Sequence, residues 1–261
     1  MTQPFIGLLR KDYRLLRADL LVSFIIMMLA LGFGIVASFY TAEPAGTIFI
    51  LIMASFAMVG FIPIMMLSIL LKEGKNQLWL YSPRSSYTLF FSKLLLCIVF
   101  QVIYQFILIG YFAFSMYSFG GEVYQQLDLQ VFLTMVTFVF FLLIFYGLYL
   151  TCWVLFYWTL YHSLNRYPRI RSLRWLIIAL IYFTYNILEV LSIRFESVRQ
   201  FIFRYRFNIQ FMPQVNYDGA TWNVYFDDFV GIPIIPAFYY VFLTCFLFYL
   251  SARLLTKKVE V

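Results

Sequence analysis

Six long apolar stretches separate short polar segments along the chain: Leu20 to Tyr40, Ile48 to Leu71, Leu94 to Tyr117, Val131 to Tyr161, Leu173 to Ser192 and Pro236 to Leu255. Each is at least as long as the roughly 20 residues that cross a ~30 Å hydrocarbon core as a helix. Barrel strands are about half that length and alternate polar with apolar positions, which these stretches do not. The pattern predicts an all-α fold, one transmembrane domain of six helices over residues 1–261.

Smaller patterns add to this. Ahead of the first span, "LLRKDYRLLRADLL" sets Leu8, Leu9, Leu15 and Leu16 on one helical side and Arg10, Lys11, Arg14 and Arg17 toward another. That predicts a separate amphipathic helix lying along the membrane surface. Within the first span Ala30, Gly34, Ser38 and Ala42 recur every four residues, a small-residue stripe that lets another helix approach closely. Pro63 predicts a kink in the second span, and the fourth is long enough to tilt or to project from the bilayer. In the long segment between the last two spans, Phe195, Val198, Ile202 and Tyr205 of "RFESVRQFIFRYRF" share a helical side. They predict a short interfacial helix, followed by the aromatic and acidic "NVYFDDFVGIP". That segment reads either as a structural cap or as an outer gate.

Composition agrees with the pattern. With 64% hydrophobic and 12% charged residues the chain has too few polar groups to cover a soluble globule. Of its 19 basic residues, all but Arg194, Arg199, Arg204 and Arg206 fall in segments that an inner N-terminus would keep cytoplasmic. Both termini are therefore expected in the cytoplasm. The net charge of +7 then meets phospholipid headgroups, not nucleic acid. Cys97, Cys152 and Cys245 all lie in spans and predict packing roles, not a disulfide framework. There is no asparagine glycosylation triplet, which is compatible with a bacterial plasma membrane.

Motifs for chemistry are sparse. The chain contains no G-x-x-x-x-G-K-[ST] phosphate loop, no H-E-x-x-H and no G-x-S-x-G, so neither a bound cofactor nor catalysis by the chain itself is expected. The lone His162 has no second histidine with which to hold a metal. One carboxylate stands inside a span, Glu189, on a helical face with Tyr182, Tyr185, Asn186 and Ser192. That stripe either lines a translocation path or a dimer seam, or Glu189 reaches the interface and pairs with Arg194.

The connection between spans two and three, "LKEGKNQLWLYSPRSSYTLFFSK", is too long and too apolar for a simple turn. Gly74 and Pro83 bracket about two helical turns that present Leu78, Trp79, Leu80 and Tyr81, and Ser82 with Pro83 has the pattern of a new helix start. The aromatic residues suit either the headgroup region or a groove on a soluble partner.

Here the chain resembles the membrane subunits of ABC transporters, the type-two exporter permeases. The resemblance lies in six spans, an amphipathic segment before the first, and a span-two to span-three connection with Glu73, Leu78, Leu80, Ser82, Pro83 and Lys93 in matching places. Asn76 and Gln77 replace the glycine-threonine pair common in that family. The resemblance implies that Glu73 and Leu78 to Pro83 form a coupling helix seated in a separate cytoplasmic ATPase subunit, which holds the ATP and Mg. It also implies a second permease copy or homologue, and export of a hydrophobic or amphipathic peptide, lipid or drug. An ion-gradient-driven carrier and a non-transporting immunity or assembly protein are the alternatives.

Overall fold

A computed structural model of the chain describes residues 2–41, 44–76, 85–120, 129–165, 171–217 and 222–256, with side chains for these except 2–4, 76, 131, 208–217 and 222–230. In chain order the elements are α1 (Thr2–Thr41), α2 (Ala45–Asn76), α3 (Ser86–Phe119) and α4 (Leu129–Leu164). A 3-10 turn (Arg171–Leu173), α5 (Arg174–Arg194), α6 (Glu196–Ile202), β1 (Arg206–Tyr217), β2 (Trp222–Pro233) and α7 (Ile234–Leu254) follow. Six of these helices, α1 to α5 and α7, are long and apolar enough to cross a membrane. The chain is thus a helical, membrane-embedded protein.

Two local expectations change. The N-terminal amphipathic segment is not a separate helix: α1 runs unbroken for 40 residues, ~60 Å at 1.5 Å per residue. Between Leu8 and Leu20 there is no proline or glycine to break the ladder, so the span's helix simply continues. Gly74 does not end α2, which extends to Asn76. Ser82 and Pro83, expected to open α3, lie outside the described residues; the described helix opens at Ser86, with Ser85 O accepting from Leu89 N at 3.2 Å. The segment after α6, given no secondary structure from sequence, is a two-stranded hairpin, β1 with β2, its base closed by Ile234 N donating to Tyr205 O at 3.1 Å. The short helix expected there is present as α6.

Contacts divide the chain into two compact units. The first comprises Met1–Lys72, Ser92–Gly147 and Ile209–Val230, the second Glu73–Phe91, Leu148–Asn208 and Gly231–Val261.

In the first unit, Met58, Phe61, Ile62, Met65, Met66, Ile69 and Leu70 form the buried stripe of α2, at the three- and four-residue spacing of one helical face. Apolar contact with lipid would satisfy these side chains equally well, so close packing and hydrogen bonds must decide where the helices sit. Both are visible. The stripe Ala30, Gly34, Ser38 faces this interior: Ala30 is half-buried, Gly34 and Ser38 are buried, and Ala42 lies outside the described residues. A Cβ on Gly34 would overlap Tyr111 Oη and meet Ile50, and one on Gly46 would stand 2.8 Å from Ala37 Cβ and 2.9 Å from Ser38 N. Thr47 N donates to Ser38 Oγ at 2.9 Å, and the Thr47 and Ser115 hydroxyls bond to each other. Three hydroxyls thereby join α1, α2 and α3. Pro63, buried inside α2, removes the N–H that would reach Val59 O. That carbonyl faces Gly147 of α4, where an added Cβ would be 3.7 Å away.

The second unit is held by aromatic contacts and a few hydrogen bonds. Thr256 Oγ1 donates to Ser86 Oγ at 2.9 Å, and Phe90 meets Phe248 with ring centroids 6.4 Å apart. The Arg174 guanidinium lies 4.2 Å over the Tyr161 ring, a cation–π contact at the start of α5. No residue of α5 is fully buried. His162 packs against Trp158 at 4.4 Å, and among the described residues no group of histidine, cysteine and carboxylate side chains could hold a metal. Cys97 and Cys152 are buried and Cys245 is exposed, all three as free thiols.

Candidate functional site

The N-terminal half of α1 carries two carboxylates on the face it turns to α2 and α3. Asp12, Leu16 and Asp19 are spaced four and three apart, so they share one side of the helix, and Asp12 and Leu16 are completely buried. Asp12 Oδ1 lies 3.2 Å from Lys93 Nζ, and Asp12 Oδ2 accepts from Ser92 Oγ at 2.9 Å. Lys11 Nζ also stands 3.6 Å from Asp12 Oδ1, and a carboxylate withdrawn from water needs such partners, since burying it unpaired would cost several kcal/mol. Asp19 Oδ2 accepts from Lys72 Nζ at 2.7 Å and from Ser68 Oγ, while the same ammonium donates to Leu15 O at 2.9 Å. Lys72 and Lys93 thus bond to α1 on either side of the connection that begins at Glu73.

Of the coupling residues expected from sequence, Glu73 is described and only 3% exposed, within the fold and not on a free surface. Leu78, Trp79, Leu80, Tyr81, Ser82 and Pro83 lie outside the described residues. Gly74 approaches Trp158 to 3.7 Å from its Cβ position, which brings the end of α2 against α4 within the second unit.

The intramembrane stripe of α5 divides. Glu189 Oε1 accepts from Tyr240 Oη of α7, and no ion pair joins Glu189 to Arg194. Tyr185 turns to the same cluster: its hydroxyl is 3.3 Å from that of Tyr149, and its ring is 4.8 Å from Trp153. Tyr149 in turn packs edge-on against Tyr240 at 5.3 Å. Glu189 and Tyr185 therefore join a carboxylate–tyrosine network built from α4, α5 and α7. Tyr182 instead is 51% exposed, and Asn186 donates to Tyr182 O at 2.8 Å on its own helix.

A third feature lies in the first unit. A cavity of about 600 Å³ opens between α2, α3 and α4, lined chiefly by apolar side chains such as Phe56, Val59, Phe112, Val139 and Phe140, with Gln105 among them. Its volume is in the range of small-molecule sites, which run roughly 300–1,000 Å³. Gln101 and Gln105, one turn apart on α3, are both buried. Gln101 Nε2 donates to Met58 O at 3.2 Å and Gln105 Nε2 to Phe140 O at 3.4 Å, but neither Oε1 has a partner. Sequence reading passed over this pair, although two glutamines four apart inside an apolar span are a usable signal.

The chain is similar to a Bacillus subtilis (strain 168) protein called uncharacterized protein YhcE. The two are 29% identical over 272 residues, covering 98% of this chain and 99% of the relative. No family model and no solved structure matches the chain. The likeness to the Bacillus protein suggests a bacterial source.

Proposed function

We propose that this chain is the permease subunit of an ATP-driven ABC exporter, with both termini cytoplasmic in a bacterial plasma membrane. It pairs with a second copy or homologue and with two cytoplasmic ATPase subunits that bind ATP and Mg, and it carries a hydrophobic or amphipathic substrate. The observation that best supports this reading is the fastening of α1 by Lys72 and Lys93. Lys72 and Lys93, on either side of the coupling segment, both bond to α1, which ties α1 to the two helices that flank that segment.

In this reading the ATPase grips Leu78 to Pro83, with Trp79 as the aromatic anchor that supplies most of the affinity. Closure of the ATPase is transmitted through the helix ends at Lys72 and Lys93. The spans then switch between two packings that open the path to opposite sides. ATP drives this only through its different affinity for the two states, and the substrate returns the same coupling free energy. Glu73, being buried, positions the end of α2 and does not itself contact the ATPase. Tyr185 and Glu189, with Tyr182 beside them, belong to the path.

A second reading, a carrier driven by an ion gradient, rests on Glu189. Its side chain is hydrogen-bonded by a tyrosine and not neutralised by a cation, an arrangement open to a coupling proton. One experiment separates the two. The tagged chain is purified in mild detergent from its native host, with mass spectrometry of co-purifying proteins and an ATPase assay. A stoichiometric ATPase supports the exporter; a chain that comes alone, inactive toward ATP in several detergents, favours the carrier.

A further inference from the structure

The Glu189 cluster of the second unit holds a charge that no cation of the chain answers. Among the described residues Tyr240 Oη is the one hydrogen-bond donor to the carboxylate, and no cation pairs with it. Glu189 is half-buried, and its Oε2 accepts from no described residue. Unlike the amide oxygens of Gln101 and Gln105, that oxygen is not sealed off by its neighbours. Aromatic rings stand around it: Tyr240 lies 5.3 Å from each of Tyr149 and Tyr239, and Tyr185 lies 4.8 Å from Trp153. Tyr149, Trp153, Tyr185 and Tyr240 are half-buried and Tyr239 is 47% exposed, so the cluster reaches the lipid-facing surface.

Its depth narrows what could bind there. Helices α5 and α7 have 21 residues each, ~31 Å at 1.5 Å per residue, and so just cross a ~30 Å hydrocarbon core. Glu189 and Tyr240 stand about a turn and a half from the helix ends at Arg194 and Ile234, ~8 Å inside. That is where the headgroup of a bilayer amphiphile gives way to its chain. A carboxylate at this depth is costly until a positive charge comes to it. The basic residues at this end of α5 and α7 are Arg194, Arg199, Arg204 and Arg206, all at or beyond the end of α5, so a second copy would bring no cation to this depth either. Hard metal ions want about six oxygen ligands, and the cluster offers one carboxylate. An organic ammonium uses all of it: the carboxylate takes the charge and the ring faces take the N-alkyl groups through cation–π contact.

We propose that the Glu189 cluster binds the ammonium headgroup of an amphiphile, whose chain runs on into the lipid beside α5 and α7. The inference rests on the reading that Glu189 and Tyr185 belong to the path, and it names what that path admits. The ammonium belongs either to a resident lipid or to a compound in transit, and the chemistry that recognises it is the same.

The test uses the full-length protein in dodecyl maltoside, an uncharged detergent, with tritiated decyltrimethylammonium counted by scintillation proximity on the immobilised chain. The competitors are the unlabelled probe and its neutral isostere, in which a quaternary carbon replaces the nitrogen and the shape is kept. The expected result is saturable binding, with the ammonium compound competing about tenfold or more better than the isostere, the scale of a desolvated cation–π contact together with an ion pair. Glu189→Gln should weaken binding by about tenfold or more, and Tyr149→Leu by about threefold to tenfold, whereas Tyr149→Phe keeps the ring and should bind like the wild type. Equal competition by ammonium and isostere on the wild-type protein would overturn the proposal without recourse to any variant. So would binding that Glu189→Gln leaves unchanged. The assay contains no ATPase, so a missing ATPase partner leaves its result standing, and a failed binding test leaves the exporter reading standing. Decylphosphocholine, which adds a phosphate beside the ammonium, tells the two sources apart: competition equal to that of the probe assigns the site to a zwitterionic lipid, and competition about tenfold weaker assigns it to a net cationic compound in transit.

Discussion

Lys93 Nζ lies 3.2 Å from Asp12 Oδ1 across 81 residues of sequence, and neither side chain is more than 2% exposed. The pair fixes the start of α3 to the N-terminal half of α1. Breaking a buried pair by removing one member costs about 3–5 kcal/mol, whereas replacing both with apolar residues of similar volume is often neutral. Asp12→Asn should therefore lower stability strongly in detergent unfolding, and Asp12→Leu with Lys93→Met should recover most of the loss. A single-variant effect below ~1 kcal/mol would show that the pair does not hold α1 in this way.

The second pair, Lys72 with Asp19, is geometrically shorter at 2.7 Å but about one-third exposed on each side. Solvent screening limits such pairs to roughly 0–1 kcal/mol. Lys72→Met is accordingly expected to cost far less than Lys93→Met in the same unfolding assay, and to lose its effect at high salt. Equal costs would mean that exposure is a poor guide to the pairing at this end of α1.

Close approach of α1 to α2 depends on Gly46, where any side chain would meet Ala37 Cβ and the backbone of Ser38. Backbone cannot move aside as a flexible side chain can. Gly46→Leu should lower thermal stability by about 1–3 kcal/mol, the usual scale of overpacking. Gly32→Leu, where the added Cβ meets nothing within 4 Å, is the control and should be close to neutral. Thermal unfolding of the two variants side by side checks this.

Tyr240 donates to Glu189 inside the aromatic cluster of the second unit. A hydrogen bond to a charged group is worth about 1.5–3 kcal/mol, so its removal is expected to change rates about tenfold or more if the carboxylate takes part in transport. Glu189→Gln and Tyr240→Phe should each alter transport while leaving ATPase co-purification intact. Wild-type transport in both would reduce the cluster to helix packing.

The six spans were legible because a helix crossing lipid has to be long and apolar, and little else in a sequence looks like that. Gly34 lies where an added Cβ would overlap Tyr111 Oη, an approach that only a small residue permits. What escaped notice was anything that depended on a partner distant in sequence. Asp12 and Asp19 sit in a strongly basic stretch that gives no local sign of their partners, because Lys93 and Lys72 are 81 and 53 residues away. Glu189 looked within reach of Arg194, yet its partner is Tyr240, 51 residues on. The hairpin was missed because aromatic residues are dense in this chain and blur the alternation of Phe207, Ile209 and Phe211 with Arg206, Asn208 and Gln210. Continuity of α1 was missed because an amphipathic pattern records which side of a helix is polar, not whether the helix bends away from the next span.

Docking of the segment from Leu78 to Pro83 in an ATPase is best probed with Trp79→Ala. Glu73→Arg would be a poorer choice, since Glu73 is buried and a reversed charge there would disturb folding as well as docking. The measurement is the stoichiometry of ATPase co-purifying with Trp79→Ala relative to wild type, at matched membrane insertion and thermal stability. Most of the ATPase should be lost from the variant, and transport with it. An ATPase retained at wild-type stoichiometry, or absent from the wild-type protein itself, would contradict this docking.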